Sequence, residues 1–170
     1  MTCFPGRTAY WLLCVVVSLT TAACGSDSDP VTPTPVVPTV QGTWAGDYTV
    51  SGCNDATATG FCQGFAQVGA VLPVRIVVTQ SGQQLTGTVE LGQFTIPATG
   101  TVDTAARITL NGSVATTISG QASTVTLGNW NTVVAGSTMT GGWRLTFSFT
   151  AFPGAAPFLE NTIRTVTKVG

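Results

Sequence analysis

Alternation of apolar and polar residues with a period of two constrains this chain most. In residues 138–149, TMTGGWRLTFSF, Met139, Trp143, Leu145, Phe147 and Phe149 fall on one face, with Arg144, Thr146 and Ser148 opposite. Successive side chains of a strand point to opposite sides, so such a segment buries one face and wets the other. The pattern recurs along the chain. Residues 42–50 place Trp44, Tyr48 and Val50 together, and residues 70–80 read as a second strand ending in a Ser81-Gly82 turn. Leu85, Val89 and Leu91 then alternate with Thr86, Thr88 and Glu90; Phe94, Ile96 and Ala98 share a face, as do Ile108, Leu110 and Val114. Strands over residues 121–133 and 161–169 complete the set, and no stretch after Cys24 carries a helical period. About eight strands joined by short turns predict an all-β domain, an antiparallel up-and-down barrel closed so that no edge is exposed. A β-sandwich uses the same strand patterns and is the alternative. A membrane-spanning barrel fits less well, because aromatic girdles at both strand ends are not evident.

Composition narrows the function classes. Only 8% of the 170 residues are charged, against roughly 25% in typical soluble domains. Six basic and seven acidic residues leave a net charge of −1 with no basic block, so nucleic acid lacks its electrostatic foothold. Thr, Ser, Asn, Gln and Gly supply the polarity, a profile similar to that of secreted bacterial all-β proteins.

The N-terminal segment reads as an export signal. Arg7 is the sole charge before Asp27, and residues 8–23, TAYWLLCVVVSLTTAA, form an apolar run shorter than the ~20 residues that span a bilayer comfortably. A plain membrane anchor and ordinary cleavage after small residues are both open readings. TAAC, residues 21–24, resembles the lipobox of bacterial lipoproteins, with Thr21 standing where Leu is usual. That resemblance implies cleavage before Cys24 and acylation of its thiol, hence a signal peptide over 1–23 and attachment to a membrane through Cys24. Gly25 in place of Asp implies sorting to the outer membrane, on its periplasmic or surface face. Residues 24–40 contain Pro30, Pro33, Pro35 and Pro38, which favour an extended, semi-rigid tether ahead of a barrel domain over 41–170.

Of the remaining cysteines, Cys3 and Cys14 fall in the segment to be removed, and Cys53 and Cys62 stand nine positions apart in the exported part. A disulfide is the simplest fate of such a pair in an oxidising compartment. Metal binding is not expected: the chain has no histidine, and Asp55 is the only carboxylate near the pair.

GTW at Gly42-Thr43-Trp44, opening the first strand of a meander, is similar to the Gly-x-Trp start of lipocalins and avidin-like proteins, and LTGTV over residues 85–89 resembles a strand of the same group. The resemblance implies a calycin-like barrel with an internal site, and a basic residue near the end of the barrel packed on Trp44, for which Arg164 is the candidate.

The chemistry inventory is short. Without histidine the common general base and the Ser–His arrangement are missing. Asp47, Asp55, Glu90 and Asp103 are not brought together by any spacing and read as solvated carboxylates. Gly87, Gly141 and Gly142 read as room for bends rather than as a phosphate loop. The expectation is a non-enzyme without a cofactor, an envelope module that is structural or binds another envelope protein, using its Thr-rich outer face or the loop FPGAAPF at residues 152–158. The alternative is a small apolar or amphipathic ligand held inside the barrel by Trp44, Tyr48, Trp143, Phe147 and Phe149.

Overall fold

The computed structural model describes residues 36–55, 60–64 and 67–170. Eight strands run in order: β1 (Gly42–Asn54), β2 (Val71–Ser81), β3 (Gln84–Leu91), β4 (Phe94–Val102), β5 (Arg107–Ile118), β6 (Gln121–Ala135), β7 (Thr138–Phe149) and β8 (Phe158–Val169). Each pairs antiparallel with the next, and β1 pairs with β8, so the ladder closes into one up-and-down barrel. The closed ladder is the predicted barrel and not the sandwich. It is consistent with a calycin-like fold, and the compact unit that carries it spans Thr34–Gly170.

Alternation does what it predicts. Met139, Trp143, Leu145 and Phe147 of β7 are buried and Phe149 is half-buried, while Leu85, Val89, Leu91, Phe94, Ile96, Ala98, Ile108 and Leu110 all join the core. At its centre Trp130 stacks on Trp143 with centroids 4.6 Å apart, and Tyr48 tilts against Trp143 at 5.1 Å. Outside, threonines pair across strands, Thr79 with Thr86 at 2.8 Å and Thr101 with Thr109 at 2.9 Å. Apolar inside and hydroxyl-rich outside is the reverse of a barrel whose outer band meets lipid.

The register shifts at five places, and two of these bulges change which residues of β8 and β6 face the core. In β8, Asp47 pairs with Thr165 and Tyr48 with Ile163, so Arg164 is an extra residue. Ile163 and Val166 therefore both point inward, and Arg164 and Thr165 outward. In β6 the register slips between Gly128 and Asn131, with Asn129 at φ 49°, and the buried set passes from Leu127 to Trp130. Beside the β8 bulge the two strands approach so closely that a Cβ on Gly46 would lie 1.7 Å from the Thr165 carbonyl oxygen, which admits only glycine. Gly87 has the same constraint against the Val77 carbonyl oxygen, at 1.9 Å.

Up-and-down connectivity sorts the loops between two ends. The base carries the start of β1, the end of β8 and the turns after β2, β4 and β6; the mouth carries the β1–β2 loop and the turns after β3, β5 and β7. Residues 36–40 belong to the base. Val40 is fully buried, its amide donates to Gln80 Oε1 at 2.7 Å, and its carbonyl accepts from Trp44 Nε1 at 2.9 Å. Gln80 Nε2 in turn donates to the carbonyls of Pro38 and Gly82, at 3.0 and 2.9 Å.

One expectation is corrected at this end. The cation over the Trp44 ring is Lys168, with Nζ 5.7 Å from a ring centroid, and not Arg164. Trp44 is the registered partner of Lys168, and the bulge turns Arg164 to solvent. No helix was expected from a period, and the one described is too short to carry one. It is α1 (Phe61–Gly64), four residues within the β1–β2 loop.

Candidate functional site

The mouth is built on β1. Val50 pairs with Asn161 and Gly52 with Glu160, so Ser51 is another extra residue and Cys53 turns toward the core. There Cys53 is bonded to Cys62, with Cα atoms 5.8 Å apart, the disulfide expected of this pair. Asp55 accepts from the Cys62 amide and so fixes the start of α1. Asp55 and the two sulfurs do lie within 4.8 Å of one another, but sulfurs joined in a disulfide have no thiolate to offer a metal. Beside Cys62, Phe61 lies on Phe147 at 4.9 Å and on Phe149 at 6.2 Å. The disulfide thus holds an aromatic ring over the inward ends of β7.

Next to these rings is a partly open apolar cavity of about 170 Å³. Its walls include Tyr48, Leu72, Phe94, Leu145, Phe147 and Leu159, and the Gly92-Gln93 turn forms part of its rim. Burial pushes the Tyr48 phenol up to about 12, because the phenolate would be stripped of water. The ring therefore stands as a neutral group with a proton to donate.

Deeper in, Trp143 and Asn161 face each other across β7 and β8. Both are buried, and among the described residues Trp143 Nε1 and Asn161 Oδ1 have no hydrogen-bond partner, at a cost of about 1–3 kcal/mol each. Trp130 solves the same problem with its own strand, donating to Thr132 Oγ1 at 2.8 Å.

Of the five aromatics expected to surround a ligand, the structure brings Tyr48 and Phe147 to the cavity. Trp44 is buried at the base, Trp143 lies in the central stack, and Phe149 is half-buried against Phe61. The leucines and Phe94 that complete the walls were not singled out by sequence. Alternation places them on the inward face, but their height along the barrel depends on strand stagger, which no residue type signals.

Each acidic candidate has a structural position. Glu90 binds Arg75 at 2.8 Å, and Asp103 caps its own turn by accepting from the amides of Ala105 and Arg107. Asp55 holds α1, and Asp47 is exposed on the outward face of β1. In the loop after β7, Phe152 is 60% exposed while Ala155 is buried. Phe158, at its end, lies under the Arg144 guanidinium at 4.0 Å, and Arg144 also binds Glu160. The segment read as an export signal, with Cys3 and Cys14, and the lipidation candidate Cys24 lie outside the described residues. Comparison with family models, curated proteins and solved structures gives no match.

Proposed function

We propose that the chain is a lipid-anchored protein of a bacterial envelope, acylated on Cys24 and sorted to the outer membrane, whose barrel is a structural or protein-interaction module and not an enzyme. The observation that carries the module reading is the filled interior. Three tryptophans, Tyr48 and Phe147 occupy the barrel, and the apolar cavity of about 170 Å³ at the mouth is below the ~300–1,000 Å³ of ordinary ligand pockets. A carrier of large apolar ligands needs that volume. The anchor reading is supported by TAAC at residues 21–24 and by the proline-rich stretch after it. Two or three acyl chains, at ~0.8 kcal/mol per buried CH₂, make such an anchor effectively permanent. Contact with a partner is best supported at the mouth, where Phe152, Val68 and Val71 are exposed.

Native mass spectrometry of the protein taken from its own envelope tests both halves. The expected result is a processed chain whose N-terminal Cys24 carries acyl mass, accompanied by a second protein. A Cys24→Ser chain that is processed and membrane-bound as before overturns the anchor. A chain that always emerges alone, with a bound small molecule of several hundred daltons, overturns the module.

A further inference from the structure

The cavity at the mouth has a size, a mainly apolar wall and two polar side chains, Tyr48 and the rim residue Gln93, and together they describe an occupant. An apolar hole of about 150 Å³ stays dry and accepts benzene, so about 170 Å³ suits one ring with a small substituent and not a lipid chain. The walls are aliphatic and aromatic carbon, from Leu72, Leu91, Phe94, Leu145, Phe147 and Leu159. Among the described residues no charged one lines it, so a carboxylate or ammonium would lose water without compensation. Tyr48 brings a phenol to this lining, and among the described residues its hydroxyl makes no hydrogen bond. A phenol with no protein acceptor has its proton available, and an acceptor on the occupant would add one hydrogen bond. Phe147, one of the walls, is held from behind by Phe61 and so by the Cys53–Cys62 bond, which keeps the cavity shaped before anything enters.

We infer that the mouth cavity is a binding site for a neutral, single-ring aromatic molecule bearing one hydrogen-bond acceptor, of the aryl ketone or aryl aldehyde class, whose carbonyl oxygen accepts a hydrogen bond from the Tyr48 hydroxyl. This site goes beyond the module reading and does not depend on it.

The test uses the full chain in lipid nanodiscs with ¹³C-labelled leucine methyl groups, titrated with acetophenone, toluene and benzoate. Empty nanodiscs and the leucine shifts themselves separate binding from partition into lipid. Saturable shifts are expected for acetophenone and toluene at Leu72, Leu91, Leu145 and Leu159, with Leu85 and Leu110 as unmoved controls, and none for benzoate. Tyr48→Phe should weaken acetophenone about fivefold, the value of one hydrogen bond, and leave toluene unchanged. Leu72→Phe, at a half-buried position that tolerates a larger ring, should abolish both while the melting temperature holds. Shifts absent at the four leucines, or spread equally to Leu85 and Leu110, overturn the site. Equal binding of benzoate, or acetophenone affinity indifferent to Tyr48→Phe, overturns the assigned ligand class.

Discussion

Lys168, not Arg164, stands over the indole of Trp44, and the two are registered partners where the last strand closes on the first. The indole is fully buried and also donates to the Val40 carbonyl. Trp44→Ala should therefore cost about 3–5 kcal/mol, whereas Lys168→Ala should cost under about 1 kcal/mol. A double-mutant cycle by urea unfolding should return a coupling of about 0.5 kcal/mol for this pair and none between Trp44 and Arg164. The reverse assignment would mean that the β8 bulge lies elsewhere.

Gln80 clips the chain ahead of β1 to the barrel through Val40, Pro38 and Gly82. Gln80→Ala leaves the Val40 amide without its acceptor, and about 1–3 kcal/mol of stability should go with it. Amide exchange at Val40 should accelerate more than exchange at Ile96 on β4. Equal protection in both proteins would show that burial of Val40 alone holds the segment.

Tyr48 makes the fold sensitive to alkali. Its folded value, about 12, lies above the ordinary 10 of an unfolded tyrosine. Below pH 10 both states hold the proton, and the group contributes no pH dependence. Between pH 10 and 12 the unfolded chain ionises first, so stability should fall by about 2–3 kcal/mol across that window. Tyr10 is the only other tyrosine, and it falls in the segment read as a signal. Phenolate absorbance of a chain lacking that segment therefore reads Tyr48 alone. Tyr48→Phe should flatten the decline, and a phenolate titrating near 10 in the folded protein would contradict the burial argument.

Replacing both Cys53 and Cys62 by serine removes the cross-link over nine positions. Chain entropy puts the loss at about 2.7 kcal/mol. The β1–β2 loop should become a protease site, because α1 then loses its covalent tie to β1 and rests on contacts such as Phe61 on Phe147 and the Asp55–Cys62 hydrogen bond. Tryptophan emission should hardly change, since the Trp130–Trp143 stack is inside the barrel. Loss of the folded signal altogether would give the disulfide a role in assembly.

Much of the barrel is legible because alternation reports burial directly, as in β4, where Phe94, Ile96 and Ala98 are all inside. Bulges are what the residues conceal. Arg164 looks like any strand residue, yet it is the insertion that flips β8 and hands Lys168 the place over Trp44. Trp130 hides in the same way behind Asn129, whose left-handed backbone shifts the buried face of β6. Asparagine tolerates that conformation, so Gly128-Asn129 was the available signal. The mouth was legible only in parts. Tyr48 and Phe147 declared their face, but the stagger that sets Leu72 and Leu159 at the same height did not.

Closure of β1 onto both β2 and β8 also has a mechanical meaning. A pull on the chain from its N-terminal side first loads the Val40–Gln80 clip and then runs along the axis of β1. Antiparallel ladders on both edges take that load in shear, so many hydrogen bonds must slip together instead of parting one by one. With β8 bulged against Gly46, the sliding strand also meets a notch where the two backbones are in contact. The domain is built to stay folded under tension applied from that side.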